Sequence, residues 1–199
     1  MILKVCGITN SEDAQAAIAG GATAIGFNFY PRSPRYLAPE RAAAISTPGI
    51  RRVGVFVNES PVHIAEIARI AGLDTAQLHG DEAPADYPAG LAVWKAARVT
   101  GDFTFGPYRG LPCEALLLDG PAAELFGGSG RTFDWSHAAA SGLRIILAGG
   151  LDAANVAQAI ALTRPWGVDA CSRIESAPGI KDHTKMHDYL QAAKAALLP

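Results

Sequence analysis

Charge is scarce in this chain. Of its 199 residues, 18% are charged, with 17 Lys and Arg against 19 Asp and Glu for a net charge of −2. So even a balance offers no field for nucleic acid or anionic lipid, and neither partner is expected. Any anionic ligand must be held by local features. No apolar run reaches the roughly 18 residues of a membrane span. Met1–Cys6 lacks a basic segment ahead of its apolar stretch, so no signal peptide is expected. Cysteine is also scarce and odd in number: Cys6, Cys113 and Cys171. That fits free thiols in a reducing compartment, the cytoplasm, and not a disulfide framework. No His, Cys and Asp cluster has metal-ligand spacing, so neither metal nor cofactor is expected.

What the chain has is apolar and glycine-rich. Hydrophobic residues make up 49%, which excludes intrinsic disorder, and 21 Gly with 13 Pro exclude a coiled coil. No linker or composition break divides the chain, so residues 1–199 read as one domain.

Short apolar runs alternate with helical patterns. The runs are Ile2–Gly7, Ala24–Tyr30, Arg52–Val57, Thr75–His79, Leu91–Val99, Ala115–Asp119, Arg144–Ala148 and Val168–Ser172. Thr9, with Glu12 three residues later, reads as a capping box opening a helix through Ala19. Pro39 starts a second helix ending near Ser46, and Ser60-Pro61 a third with Ile64, Ile67, Ala68 and Ala71 on one face. Ala83–Tyr87 is a weak, Pro-broken helix and Asp102–Gly110 is poorly helical. Further helices are expected from near Trp135, over Ala153–Thr163 and over His183–Leu197. The runs are apolar throughout, as parallel strands buried on both faces require. Eight βα units predict a closed (β/α)8 TIM barrel, with a doubly wound open sheet as the alternative.

Such a barrel carries its chemistry where the strands end. The polar residues there are Cys6, Asn28 with the loop to Arg35, Asn58, Gln77, His79, Lys95, Asp119, Gly149-Gly150, and Cys171, Ser172 and Arg173. Cys6 is either a small apolar strand residue or a thiolate acting as base or nucleophile. Asp119 ends the run Ala115-Leu116-Leu117-Leu118. It is either a turn cap or a carboxylate that is paired or working, because burying it idle is costly. His79 is either satisfied by the rim or a hydrogen-bond partner for substrate. His63, His137, His183 and His187 fall in helices and read as surface residues.

Gly149 and Gly150 lie between a strand and a helix, where free backbone N–H groups can face a phosphate. Ser172 and Arg173 lie in the loop after the last strand, and this fold often holds phosphate with its last two strand-end loops. Gly127-Gly128-Ser129-Gly130 either cradles phosphate or forms a loop over the site, and it does not have P-loop order. Arg32 and Arg35 either bind a carboxylate through the guanidinium fork or form a solvated basic loop.

The segment Lys4-Val5-Cys6-Gly7-Ile8-Thr9 resembles the opening motif of the phosphoribosylanthranilate isomerase family of tryptophan biosynthesis. Gly26–Tyr36, Val53–Asn58, Gln77–Gly80, Leu117–Asp119, Gly127–Trp135, Ala148–Leu151 and Pro178–Asp182 are similar to later family motifs in the family's order. The resemblance implies a TIM barrel acting on a small phosphosugar, N-(5′-phosphoribosyl)anthranilate, by an Amadori rearrangement. It implies Cys6 as general base, Asp119 as general acid and Arg35 as the holder of the anthranilate carboxylate. His79, Gln77 and Asn28 would contact substrate, and Gly149, Gly150, Ser172 and Arg173 would bind phosphate. One segment departs from the family pattern Asp-x-Ser-Ser-Gly-x-Glu. Asp169-Ala170-Cys171-Ser172-Arg173-Ile174-Glu175 has Cys171 in place of Ser and Arg173 in place of Gly. Alternatives to this reading are a phosphosugar-binding barrel without catalysis and an isomerase of a related aminoaldose. Barrel helices hide interface patches in their amphipathic pattern, so the expectation of a monomer stands beside that of a homodimer.

Overall fold

The strand runs close on themselves. In a computed structural model, which describes residues 1–120, 135–138 and 141–197, eight parallel strands pair in chain order. They are β1 (Ile2–Cys6), β2 (Ala24–Asn28), β3 (Arg51–Phe56), β4 (Thr75–Leu78), β5 (Ala92–Arg98), β6 (Ala115–Asp119), β7 (Ile145–Leu147) and β8 (Gly167–Ala170). Pairing of Ile2 with Gly167 through Val5 with Ala170 closes β1 onto β8. That closure excludes the open sheet. Two apolar cores result. One, between strands and helices, includes Phe27, Phe56, Ile64 and Tyr189. The other fills the barrel, where the fully buried Trp94 packs with Val53, Leu117 and Ile146.

The helices are α1 (Ser11–Gly20), α2 (Pro39–Ala44), α3 (Pro61–Ala71), α4 (Val156–Thr163) and α5 (His183–Ala195). Among the described residues no helix is long and apolar enough to cross a membrane. Helix α3 follows its expectation in full. Ser60 accepts from the His63 amide, Pro61 takes the first turn, and Ile64, Ile67, Ala68 and Ala71 are buried.

Helix α1 corrects its expected cap. Asn10, not Thr9, is the N-cap: its extended backbone brings its side-chain oxygen to the Asp13 amide at 2.8 Å. The Thr9 hydroxyl instead donates to the Gly179 carbonyl, a partner 170 residues away. Helix α4 starts at Val156, three residues later than expected, because Asp152 and Asn155 fold the approach into a turn. The helix expected over His183–Leu197 ends at Ala195, so Leu197 lies past its end and is exposed. The chain makes only 3-10 turns at Pro84–Asp86, Gly106–Tyr108 and Trp135–Ala138. Past β8, strands β9 (Glu175–Ala177) and β10 (Ile180–Lys181) form a small antiparallel ribbon, tied to helix α1 by the Lys181 amide, which donates to Asp13.

Candidate active site

The parallel register places β1 and β8 side chains in rungs. Lys4 lies opposite Asp169, and Cys6 lies two residues further along the same strand face. Lys4 is fully buried, and its Nζ donates to Asp169 Oδ2 at 2.8 Å. A lysine survives there only because it is paired. Burial works against its charge, but Asp169 and Cys6 together hold it above its ordinary pKa. Burial pushes the Asp169 carboxyl up to about 7, against the pull of Lys4. Its Oδ1 has no hydrogen-bond partner among the described residues.

Cys6 stands above this pair at the mouth. A hydrogen bond from Cys171 lowers its thiol well below the ordinary range. Burial opposes that, and the charges of Lys4 and Lys181 add to it. Cys171 moves the other way, raised first by the same hydrogen bond and then by burial. Cys6 is therefore the more readily ionised thiol of the two, and its thiolate would be a ready base or nucleophile. The Cys171 thiol also donates to Glu175 Oε1 at 3.9 Å. Gly7 follows it at φ +75°. A Cβ there would come within 2.7 Å of Arg35 Cδ and 3.1 Å of Cys171 Sγ, so only glycine lets those groups close on the thiol.

Arg35 is held by Glu175. Its Nε and Nη2 donate to the two Glu175 oxygens at 2.9 and 2.7 Å, a bidentate fork, and Lys181 Nζ donates to the same carboxylate at 2.8 Å. Burial would raise the Glu175 carboxyl, but the Arg35 hydrogen bond and the Lys181 charge outweigh it and hold the pKa low. Two of the three Arg35 guanidinium nitrogens are thus engaged. Among the described residues Nη1 has no hydrogen bond.

Across the mouth, β4 and β6 bring Gln77, His79 and Asp119 together. Gln77 Nε2 lies 3.1 Å from His79 Nδ1, and His79 Nε2 lies 3.4 Å from Asp119 Oδ2. The second contact has ion-pair distance without hydrogen-bond geometry, which leaves Nε2 without a hydrogen-bond partner among the described residues. Beside them Lys95 Nζ is tied to Glu82 at 2.7 Å and to the Gly80 carbonyl at 2.6 Å. A cavity of about 520 Å³ lies beside them, lined by His79, Glu82, Lys95, Arg98 and Tyr108 among others but not by Asp119 or Cys6. That is the size range of a small-molecule site.

The strand-end glycines divide their work. Gly149, at φ +78°, lies so close to the acid-bearing strand that a Cβ would come 2.5 Å from the Gly120 amide and 2.7 Å from Asp119 Oδ1. Bare backbone there makes room for Asp119, a role the sequence reading did not assign. Gly150 accepts a hydrogen bond from Asn155 at 2.8 Å. Arg173 Nη1 pairs with Asp152 at 3.2 Å, tying the loop after β8 to the loop after β7. Ser172 opens a 3-10 turn in the first of these loops. Asn28 accepts from the Tyr30 amide at 2.9 Å and shapes its own loop. Gly127, Gly128, Ser129 and Gly130 lie outside the described residues.

A closed (β/α)8 barrel with a readily ionised thiol on one side of its mouth and a carboxyl with an imidazole on the other has the architecture of an enzyme and holds groups that acid–base chemistry could use. Residues 3–192 match the family model described as N-(5'phosphoribosyl)anthranilate (PRA) isomerase. The N-(5'-phosphoribosyl)anthranilate isomerase of Solibacter usitatus is 72% identical over 99% of both chains. The crystal structure of phosphoribosyl anthranilate isomerase from Thermotoga maritima superposes with a TM-score of 0.88 at 39% identity, covering 98% of this chain and 100% of that one. A structure of the isomerase in complex with reduced 1-(o-carboxyphenylamino)-1-deoxyribulose 5-phosphate gives a TM-score of 0.85 at 38% identity, with coverage of 98% and 100%. The chain belongs to the phosphoribosylanthranilate isomerase family.

Sequence reading missed Lys4, Asp169, Glu175 and Lys181 as parts of the site. A signal existed for the first two. A lysine inside Ile2–Cys6 and an aspartate inside Gly167–Ala170 are charges in apolar strands, which calls for pairing as surely as Asp119 did.

Proposed function

We infer that the chain catalyses the Amadori rearrangement of N-(5′-phosphoribosyl)anthranilate to 1-(2-carboxyphenylamino)-1-deoxyribulose 5-phosphate, an aldose-to-ketose isomerisation of tryptophan biosynthesis. The observation that carries this reading is the placement at one barrel mouth of Cys6, a thiol held below its ordinary range, and of Asp119 beside His79. In the reaction an acid protonates the ribose ring oxygen as the ring opens to a Schiff base. A base then takes the proton from C2, and the enolamine tautomerises to the ketone. Asp119 is assigned the first transfer and Cys6 the second. His79, beside Asp119, orients the carboxyl and offers Nε2 to substrate, with Gln77 fixing the ring.

The phosphate is assigned to the backbone of Gly149 and Gly150 with Ser172, and Arg173 braces the two loops through Asp152. The small-molecule substrate is the one ligand the reading needs. The whole chain acts as one barrel domain, and its three free thiols fit the cytoplasm.

Arg35 is assigned the anthranilate carboxylate. Charged hydrogen bonds of about 1.5–3 kcal/mol correspond to roughly 10- to 100-fold in affinity. Arg35→Ala is therefore expected to raise KM by that factor with a smaller change in kcat, and Arg35→Lys to restore little, because Lys lacks the fork. An unchanged KM would remove Arg35 from the substrate site.

The assay that tests the function follows the fluorescence of phosphoribosylanthranilate as it is consumed, with the aminoaldose of histidine biosynthesis as control. Turnover of the first substrate with little of the second is expected. Binding without turnover of either would leave a phosphosugar-binding barrel.

A further inference from the structure

Cys6 has a second thiol next to it, and acid–base turnover uses only one. Extending the β1–β8 register by one step past Val5 and Ala170 sets Cys6 opposite Cys171. Neighbouring strands lie about 4.8 Å apart, inside the roughly 4.4–6.8 Å between Cα atoms that a disulfide spans. Cys6 shares a strand face with Lys4, and Cys171 with Asp169. The Lys4–Asp169 ion pair proves that this face is common to both strands. Cys171 lies one residue past the end of β8, in the approach to a 3-10 turn, so a loop and not the barrel absorbs the closing movement. Cys6 keeps 8% of its surface accessible, and Cys171 is half-buried.

From this placement we propose that Cys6 and Cys171 form a dithiol modification site which hydroperoxides close to a disulfide, blocking the thiol at the mouth reversibly. The Cys6 thiolate attacks the peroxide O–O bond, giving Cys6 sulfenic acid and an alkoxide (hydroxide from hydrogen peroxide), which the buffer protonates. The Cys171 thiol then attacks the sulfenic sulfur. An S–S bond forms, the S–O bond breaks, and the Cys171 proton leaves with the departing oxygen as water. Two sulfurs lose one electron each and the peroxide gains both. The electrostatics suit these roles: the nucleophile is the thiol held low, and the resolving thiol is the one kept protonated beside it.

Loss of turnover on closing depends on the reading of Cys6 as base, but the crosslink does not. The two are therefore measured separately on the reduced full-length chain treated with hydrogen peroxide. Titratable thiols are expected to fall from three to one, leaving Cys113. Non-reducing peptide mapping should give a Cys6–Cys171 pair lighter by two hydrogens, and a dithiol reductant should restore activity. In Cys171→Ser, checked for native fold by circular dichroism, peroxide should yield Cys6 sulfinic acid and a loss that reductant does not reverse. Cys113→Ser should behave like the parent. Oxidation of Cys6 with no linked Cys171 peptide, or equal recovery of Cys171→Ser, overturns the proposal. A formed crosslink with full activity would instead overturn Cys6 as base.

Discussion

Cys6→Ala and Asp119→Asn are each expected to lower kcat by about 10²- to 10⁴-fold, the usual contribution of a positioned base or acid. KM should change only a few-fold, because neither side chain is assigned to the anthranilate carboxylate or the phosphate. On that assignment Cys6→Ala removes the proton acceptor for C2, and it takes away the sulfur that the Lys4 and Lys181 charges act on. Asp119→Asn keeps the shape beside Gly149 and the approach to His79 but cannot deliver a proton. The two are assigned to successive steps of one reaction, so the double variant should lose less than the product of the single losses. Steady-state kinetics by substrate fluorescence decides this. Near-normal turnover in either variant removes that residue from the mechanism. A matched loss in kcat and rise in KM would point to a disturbed mouth instead.

The fold was legible because burial on both faces writes itself into a strand. All eight runs became strands, and Ala115–Asp119 agrees at both ends. The helical side was less legible. Thr9 and Asn10 are both good N-caps, and local pattern cannot choose between them. The choice is made by Gly179, which takes the Thr9 hydroxyl from 170 residues away. Where Pro84 or Gly106-Pro107 interrupts the chain, a 3-10 turn stands in place of a helix.

The site divides in the same way. Cys6, Asp119, His79 and Gln77 sit at strand ends, and strand ends can be counted from sequence. The Arg35–Glu175 fork joins residues 140 apart, and Lys4–Asp169 joins residues 165 apart. Both contacts exist only because β8 closes on β1. In the sequence Cys171 is only a departure from Ser; the closure of β8 on β1 sets it beside Cys6.

Lys4→Met should be the most damaging single change to stability. Lys4 has no exposed side-chain surface and Asp169 only 7%, so solvent can do little for the carboxylate left behind. Removing one partner of such a buried pair costs about 3–5 kcal/mol. The cost should depend on pH, with a definite sign. Asp169 has a folded pKa of about 7, above the 3.8 of a free carboxyl. Its stabilising proton is therefore fully retained at low pH and is lost as pH rises through the folded value. In wild type, Lys4 meets the negative charge that then forms. In Lys4→Met nothing does, and the carboxyl must keep its proton or stand unpaired. The deficit should thus be small near pH 6 and widen above about 7, read by urea unfolding on both sides of that value. Lys4→Met with Asp169→Val removes both charges and should recover most of the lost stability. It should not recover the chemistry: without Lys4 the Cys6 thiolate is less favoured, so the acid limb of kcat/KM moves to higher pH. Equal deficits at both pH values would show that Asp169 does not carry its proton into the neutral range. An unshifted acid limb would show that Lys4 holds the barrel together without tuning the thiol above it.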